Sequence, residues 1–191
     1  MGGSLAPKRH KRTLTGASTA VTHEQVVPQV QTRRLLLRGF RAEDLDAHAA
    51  MDADPEVMRY MGGVVDREES WRRMATHVGH WVLNGYGTWA VERKADGVLV
   101  GRIGLWKPEG WPGVEVGWKL VRHAWGNGYA TEAARASIEW GWEMLDVPAL
   151  ISLIHPQNDA SMRVAERLGM HRASHHTING QRAIVFELAR P

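Results

Sequence analysis

Arg122-His-Ala-Trp-Gly-Asn-Gly-Tyr-Ala-Thr-Glu132 is the stretch that decides the fold of this chain. Residues 114–121, Val-Glu-Val-Gly-Trp-Lys-Leu-Val, come before it and are rich in residues that favour a β-strand. Residues 129–145 are rich in alanine and amphipathic, as expected of a helix. Gly126 and Gly128 allow backbone angles that a side chain would disfavour. The stretch is therefore predicted to be a glycine turn between a strand and a helix.

The start of this helix is a predicted anion site. The first backbone N–H groups of a helix have no intrahelical partner and carry a partial positive charge, which suits a phosphate or pyrophosphate. A P-loop would need Lys and then Ser or Thr after the second glycine, where Tyr129-Ala130 stands. A dinucleotide fingerprint needs Gly or Ala at the position of Thr131. A tight turn that only starts a helix remains the alternative.

These residues resemble motif A of the GNAT N-acetyltransferases, (Gln/Arg)-x-x-Gly-x-(Gly/Ala). In Trp-Gly-Asn-Gly-Tyr-Ala, residues 125–130, Gly128 and Ala130 match the motif, and the tryptophan stands where Gln or Arg is usual. That departure, followed by Ala-Thr-Glu-Ala, resembles the branch of the RimJ and RimL ribosomal-protein acetyltransferases. Residues 158–170 resemble motif B with its Leu-Gly ending. The resemblance covers residues 33–188.

The resemblance implies that acetyl-CoA, as cosubstrate, donates an acetyl group to a primary amine by direct attack. The CoA pyrophosphate is expected on the N–H groups of the turn. The pantetheine arm is expected to pair as an extra strand where two parallel strands diverge. Asn158 is expected to contact this arm, to cap its own helix, or to do both. The implied cofactor-binding residues are Trp118, Leu120, Arg122, Gly126, Asn127, Gly128, Tyr129, Ala130, Thr131 and Asn158.

A βαβ unit is predicted from the strand before the glycine turn, the helix after it and the apolar strand Ala149–Ile154. Its two strands are parallel. Two predicted antiparallel hairpins flank it. The first joins residues 88–92 to 98–106 through Asp-Gly, and the second joins the last two strands of the chain. We therefore expect an α/β (α+β) fold, with one mixed, mostly antiparallel sheet and helices on both faces. The GNAT resemblance implies the same fold, with a central splayed pair of parallel strands.

Two segments before the first hairpin begin like helices, each with an aspartate in the capping position. These are Asp54, followed by Pro55, and Asp66. Helical spacing in residues 67–83 predicts one buried apolar face, formed by Trp71, Met74, Val78 and Trp81. A further helix is predicted over residues 43–51, with Leu45, Ala49 and Ala50 on its buried face.

Glu115 is the predicted catalytic base. An ammonium must lose a proton before it can attack, so a base of near-neutral pKa is needed. A carboxylate inside an apolar strand can be desolvated, which raises its pKa, and several GNAT enzymes place a glutamate at this position. The alternative is that Glu115 faces solvent. His155, at the end of the apolar strand, is the alternative base or a structural histidine.

The residue that protonates or stabilises the leaving thiolate differs from the one that is usual in the family. Many GNAT enzymes have a tyrosine just before the Leu-Gly ending, and Ala165 occupies that position here. Ser161, one turn earlier, is the predicted catalytic substitute, as has been argued for RimL-like enzymes; a plain role in the first helical turn is the alternative. Trp106 and Trp111 flank the loop before the catalytic strand and are predicted to wall the acceptor site.

The basic character of the chain is concentrated at its start. Of 24 basic and 21 acidic side chains, residues 1–28 hold four and one, which leaves 20 of each in residues 29–191. Residues 1–28 lack apolar periodicity and are predicted to be a disordered basic leader before a GNAT domain at 29–191. The Lys-Arg-His-Lys-Arg cluster at 8–12 is interpreted as a solvated tail, and ribosome or nucleic-acid binding is the alternative.

Composition excludes several other chemistries. The chain has no cysteine, which excludes disulfides, thiolate metal ligands and a cysteine nucleophile. His175-His176 and His77-x-x-His80 lack carboxylates at metal-site spacing, so no metal is predicted. No apolar run approaches the roughly 20 residues of a membrane span, and we expect a cytoplasmic protein.

The expected partner is an amine, in a small molecule or a protein N-terminus. A homodimer and a catalytically inactive CoA-binding module remain open.

Overall fold

A computed structural model describes residues 27–178 and 180–191, and a single eight-stranded sheet runs through this part of the chain. The strands are β1 (Val30–Gln31), β2 (Leu35–Arg38), β3 (Thr88–Arg93), β4 (Val98–Trp106), β5 (Glu115–Leu120), β6 (Ala149–Ile154), β7 (His171–Ile178) and β8 (Gln181–Ala189). Their spatial order is β1-β2-β3-β4-β5-β6-β8-β7. Within the described residues only β5 and β6 pair in parallel, which confirms the mixed sheet with a central parallel pair.

Five α-helices belong to the same part of the chain: α1 (Leu45–Asp52), α2 (Pro55–Met58), α3 (Arg67–Asn84), α4 (Tyr129–Met144) and α5 (Asp159–Arg167). Short 3₁₀ turns, Ala42–Asp44 and Arg122–Ala124, come before α1 and α4. No helix in the described ranges is long and apolar enough to cross a membrane.

Side chains alternate along β3 between two faces of the sheet. Trp89 belongs to the large buried cluster that includes Ile138 of α4. The next residue, Ala90, belongs to a smaller cluster with Met74 of α3. Helices therefore cover both faces of the sheet, as predicted.

The aspartate caps form as predicted. The Asp54 carboxylate accepts a hydrogen bond from Glu56 N at 2.9 Å, and the Asp66 carboxylate accepts one from Glu69 N at 2.8 Å. Each cap satisfies a backbone donor that the helix itself leaves unpaired.

The predicted buried face of α3 is partly wrong. Met74 and Trp81 are buried, but the Trp71 side chain is 54% exposed. His77 and His80 are buried instead, because both rings pack against Trp106 of β4, at centroid distances of 5.0 and 4.5 Å. Helical spacing marks the side chains that could face inward, but the packing partners decide which of them do.

The predicted face of α1 is also partly wrong. Ala50 is exposed, whereas the polar His48 and Asp52 are fully buried. They are buried because Ser70 of α3 and Lys119 of β5 supply hydrogen-bonding partners inside the protein.

The packed part of the chain begins before residue 29. Val27 is only 2% exposed and belongs to the large core cluster. Pro28 O accepts a hydrogen bond from Trp89 Nε1 at 2.8 Å. Residues 1–26, the rest of the predicted leader with its basic cluster, lie outside the described residues.

Candidate active site

The glycine turn and the start of α4 form as predicted. Gly126 and Gly128 have φ angles of 75° and 77°, in the left-handed region that favours glycine. The first intrahelical bond of α4 runs from Glu132 N to Gly128 O at 3.0 Å, so the three N–H groups before Glu132 lack an intrahelical partner. The turn therefore presents free donors at the positive end of a 16-residue helix.

An open groove of about 830 Å³ lies against this turn and is bordered by β5, α4 and α5. We call it the cofactor groove. Eight of the ten predicted cofactor-binding residues line it: Trp118, Leu120, Gly126, Gly128, Tyr129, Ala130, Thr131 and Asn158.

The other two predicted residues, Arg122 and Asn127, do not line the cofactor groove. The Arg122 guanidinium pairs with the Asp54 carboxylate at 3.6 Å. The Asn127 side-chain amide donates to Ala124 O and Trp125 O, at 3.2 and 3.0 Å. Asn127 therefore stabilises the turn through hydrogen bonds to its own backbone.

Two residues, Trp125 and Arg34, hold the turn in place through contacts that sequence reasoning missed. Trp125, the residue that departs from motif A, donates from Nε1 to Leu120 O at 2.9 Å and so ties the turn to β5. The Arg34 guanidinium bonds Glu132 at 2.7 Å and lies 4.6 Å from the centroid of the Tyr129 ring. The start of α4 is thus anchored on both sides.

Three exposed arginines on α4 and α5, Arg135, Arg163 and Arg167, also line the cofactor groove and were not predicted. Arg163 and Arg167 are spaced i, i+4, so they share one face of α5. That spacing was visible in the sequence, but only the packing of α5 beside α4 shows that this face borders the groove. The arginines make the groove suitable for an anionic ligand.

The parallel strands β5 and β6 meet only where the beginning of β5 lies beside the middle of β6. Glu115 and Ile151 form their single registered pair, and Ser152 Oγ donates to Val116 O at 2.6 Å. Beyond Val116 the two strands no longer pair. The predicted splay is therefore present, and it opens toward α5.

Trp118 and Ser161 span this opening. Trp118 Nε1 donates to Ser161 Oγ at 3.2 Å, and Ser161 N donates to the Asn158 side-chain oxygen at 3.1 Å. Asn158 is therefore the N-cap of α5, as predicted. All three residues line both the cofactor groove and a second cavity on the other side of the opening.

This second cavity, of about 570 Å³, contains Glu115, and we call it the acceptor cavity. Glu115 is partly buried, which favours a desolvated carboxyl over the solvent-facing alternative. Its carboxylate accepts hydrogen bonds from Trp111 Nε1 at 2.6 Å and from Leu153 N at 3.4 Å. Burial raises the pKa of the Glu115 carboxyl, although these two hydrogen bonds oppose the shift.

The acceptor cavity also contains the other predicted substrate-side residues. Trp106 and Trp111 both line it. His155 lines it as well, with its ring stacked on Tyr60 at a centroid distance of 4.8 Å. Ala165, at the position of the usual tyrosine, is fully buried in the core and borders neither cavity.

Lys119 of β5 borders both cavities and is held by a buried polar network that the sequence did not reveal. Its ammonium bonds the Asp52 carboxylate, which also accepts from Ser70 Oγ at 3.0 Å. Ser70 Oγ in turn accepts from His48 Nδ1 at 2.9 Å, because its one proton points to Asp52. Burial and the charge of Arg102 lower the pKa of Lys119 to about 7.

The histidines offer no evident metal site. In the described ranges no group of three His, Asp or Glu side chains could hold a metal ion. Both ring nitrogens of His80 are already used, because Nε2 accepts from Lys107 N at 3.2 Å and Nδ1 therefore donates to Tyr86 O at 2.8 Å.

Comparisons with known proteins agree with this geometry. The family description "Acetyltransferase (GNAT) domain" matches residues 34–171. The uncharacterized protein YkkB of Bacillus subtilis is 38% identical over 122 residues, 62% of this chain and 70% of that protein. The uncharacterized N-acetyltransferase YnaD of the same organism is 30% identical over 144 residues, 75% of this chain and 82% of that protein.

Solved structures share the fold. The acetyltransferase from Agrobacterium tumefaciens is 30% identical, with a TM-score of 0.78 over 85% of this chain and 95% of that one. A RimL structure in complex with coenzyme A has a TM-score of 0.71 over 85% of this chain and 98% of that one, but only 15% identity. That likeness shows the fold alone, so the RimJ/RimL-like branch stays a prediction. The chain belongs to the GNAT family of acetyl-CoA-dependent N-acetyltransferases.

Proposed function

We propose that the chain transfers an acetyl group from acetyl-CoA to the primary amine of a small molecule or a protein N-terminus. The observation that carries this proposal is the shared wall of the two cavities. Trp118, Asn158 and Ser161 border both the cofactor groove and the acceptor cavity that contains Glu115. A cosubstrate in the groove and an amine in the cavity can therefore meet at this wall.

The cofactor groove fits the anionic end of CoA. The free N–H groups at the start of α4 suit a pyrophosphate, and Arg135, Arg163 and Arg167 add positive charge along the groove. Where β6 no longer pairs with β5, the edge of β5 is open to the amide groups of the pantetheine arm. Acetyl-CoA supplies the activated acetyl thioester.

Glu115 is the proposed base. It takes the proton that the acceptor ammonium must lose, directly or through water, and the free amine then attacks the thioester carbonyl as the C–S bond breaks. The raised pKa of the Glu115 carboxyl makes it a better proton acceptor near neutral pH than an exposed glutamate. Trp111 and Leu153 use only part of the accepting capacity of its two oxygens.

Ser161 is the proposed donor to the leaving thiolate. Its oxygen already accepts a hydrogen bond from Trp118 Nε1 at 3.2 Å, so its own O–H remains available to donate. Its position on the wall between the two cavities supports this role. Ala165 does not border either cavity, and it takes no part in this proposal.

A screen for amine-dependent release of the CoA thiol tests the proposal. The acceptors are small amines, peptides with varied N-termini and aminoglycosides, and we expect at least one to accelerate release. An inactive CoA-binding module would bind CoA in a calorimeter yet show no amine dependence. A ribosome- or RNA-binding protein would also show none, and its binding would be lost when residues 1–26 are removed.

A further inference from the structure

The lining of the acceptor cavity has more basic than acidic side chains, although the proposed acceptor group is an ammonium. Glu115 is the one acidic side chain among the described residues that line it. A polycationic acceptor would therefore meet mostly like charges, which disfavour its binding. The basic residues in the lining are Arg73, Arg102, Lys119 and Arg182.

Arg102 stands out because its side chain is partly buried and its Nε atom is buried without a hydrogen-bond partner. Among the residues the structure describes, no hydrogen bond or ion pair is made by its guanidinium, and its Nε atom is fully shielded. Burial lowers its pKa, although the charges of Asp52 and Glu115 oppose the shift. His77 Nδ1, on the same cavity wall, is also buried and unpaired. Buried polar groups without partners are costly, and an anionic ligand would satisfy Arg102.

The register of β4 and β5 leaves room for a ligand between Arg102 and Glu115. Trp106 pairs with Glu115, Gly104 with Gly117, and Arg102 with Lys119, so these residues share one face of the sheet. The central pair has no side chains, and the open space lies on the Gly117 side, because a Cβ added at Gly104 would clash with Gly87 O. A Cβ added at Gly117 would meet no atom within 4 Å, which shows that this position opens into empty space.

Arg73 reinforces the positive end of this space. It reaches the cavity from α3, and its contact with Glu69 is long, at 3.4 Å. Its charge lowers the pKa of both Arg102 and Lys119, which places three basic groups close together. Asp52 pairs with Lys119 and compensates only one of them.

We propose that the acceptor is a small amine that also carries a carboxylate, with the carboxylate bound by Arg102 and the amine at Glu115. This inference rests on the function proposed above. A guanidinium binds a carboxylate through two parallel hydrogen bonds, and a cavity of about 570 Å³ is of small-molecule size. A phosphate shares this chemistry, and the test below separates the two anions.

The test compares matched acceptors in the thiol-release assay. L-Amino acids are each assayed beside their carboxamides, which keep the amine and remove the charge, and phosphoethanolamine is assayed beside ethanolamine. For the preferred amino acid we expect kcat/KM to exceed that of its carboxamide by about 10²-fold. A preference for phosphoethanolamine over every amino acid would overturn the carboxylate assignment.

Arg102→Gln should abolish this preference by lowering kcat/KM for the amino acid and leaving that for the carboxamide nearly unchanged. Arg72→Gln is the control, because Arg72 is exposed on α3 and borders neither cavity. An Arg102→Gln enzyme that keeps the preference would contradict the inference.

Thermal unfolding separates ligand binding from a structural role. Arg102→Gln removes a partly buried cation whose shielded Nε has no partner, so we expect Tm to stay level or rise. A clear fall in Tm would show that Arg102 stabilises the fold and would overturn the inference.

Different results would contradict the anionic acceptor and the proposed acetyl transfer. If carboxamides or aminoglycosides are acetylated as well as amino acids, the enzyme is an acetyltransferase but the anionic acceptor is wrong. If no amine releases thiol, the proposed function fails. Calorimetric titration of amino acids onto the CoA-saturated protein and onto its Arg102→Gln variant then still decides whether Arg102 binds a carboxylate.

Discussion

Burial distinguishes Glu115 from an ordinary surface glutamate. Its pKa is raised because the carboxyl is desolvated, against the opposing hydrogen bonds from Trp111 and Leu153. The ionised form is therefore less favoured in the folded protein than in the unfolded chain. The stability linked to this group is fully present below the unfolded-state pKa and is lost as pH rises through the folded-state pKa.

Glu115→Gln should therefore raise Tm at neutral pH, and this gain should shrink as pH falls toward the ordinary glutamate value of 4.5. The glutamine oxygen can still accept from Trp111 Nε1, so the local hydrogen bond is kept. Thermal unfolding across a pH series measures the effect, with the exposed Glu109→Gln as control. A lower Tm at neutral pH would show that the folded state favours the ionised carboxylate.

Lys119 and Asp52 form a buried ion pair that should be costly to break. Lys119→Met leaves the Asp52 carboxylate without its cation, and we expect the free energy of unfolding to fall by about 3–5 kcal/mol. Adding Asp52→Asn removes the stranded charge and should restore most of the loss. Urea unfolding of the native protein and the two variants measures this, and an unchanged stability of Lys119→Met would contradict the pairing.

At the scale of elements, the glycine turn before α4 is the proposed binding site for the CoA pyrophosphate. Gly128→Val forces a β-branched residue to a φ of 77° and adds a side chain beside the groove. We expect CoA affinity to fall at least about tenfold, which is about 1.4 kcal/mol, with the fold retained. Calorimetry of the folded variant measures the affinity.

Gly97→Val is the matched control for this experiment. Gly97 has a similar φ of 69°, its Cβ would meet nothing within 4 Å, and it lies in the β3–β4 turn away from the groove. Both variants carry the backbone strain, but only one touches the cofactor groove. Equal CoA affinities in the two would place the phosphate site elsewhere.

Asn158 at the start of α5 has a capping role and a proposed binding role that can be separated. Asn158→Asp keeps an oxygen to accept from Ser161 N but removes the amide donor, so we expect stability to hold and CoA affinity to fall. Asn158→Ala should also lower the free energy of unfolding by about 1 kcal/mol. Unchanged CoA affinity in the aspartate variant would leave Asn158 as a cap only.

Sequence was most informative where the deciding interactions are local. Residues within a few positions of one another determine several elements: the glycine turn, the caps Asp54, Asp66 and Asn158, and the strand Ala149–Ile154. Seven of the eight predicted residues that line the groove do so for the same reason, because they belong to the turn, β5 or α4; the eighth, Asn158, comes from the start of α5.

Sequence was least informative where distant residues decide. Lys119 is an ordinary charged residue in its strand, and its burial depends on Asp52, 67 positions away. The exposure of Trp71 likewise depends on which part of α3 meets the sheet. The sequence around Arg102 likewise does not indicate that its Nε lacks a hydrogen-bond partner. Only the folded structure shows this. These are long-range packing effects that no periodic pattern records.

For the whole molecule, the start of the packed domain can be located by truncation. Removing residues 1–26 should leave Tm nearly unchanged, because they carry no periodic apolar set. Removing residues 1–28 also deletes the buried Val27 and the carbonyl that accepts from Trp89 Nε1. We expect that second cut to lower Tm by about 5 °C or more. Equal Tm values for the two truncations would contradict the packing of Val27.

In the whole molecule Glu115 lies in one cavity and the glycine turn borders the other, with a shared wall between them. A single measurement tests the roles proposed for this arrangement most directly. It compares amine-dependent thiol release by the native enzyme, Glu115→Gln and Glu109→Gln at saturating acetyl-CoA. At neutral pH we expect Glu115→Gln to be about 10²-fold slower or more, with unchanged acetyl-CoA affinity. The deficit should shrink at alkaline pH, where the acceptor is already a free amine. Full activity of Glu115→Gln at neutral pH would remove Glu115 from the mechanism and make His155 the next candidate, and loss of acetyl-CoA affinity would place Glu115 in the scaffold instead.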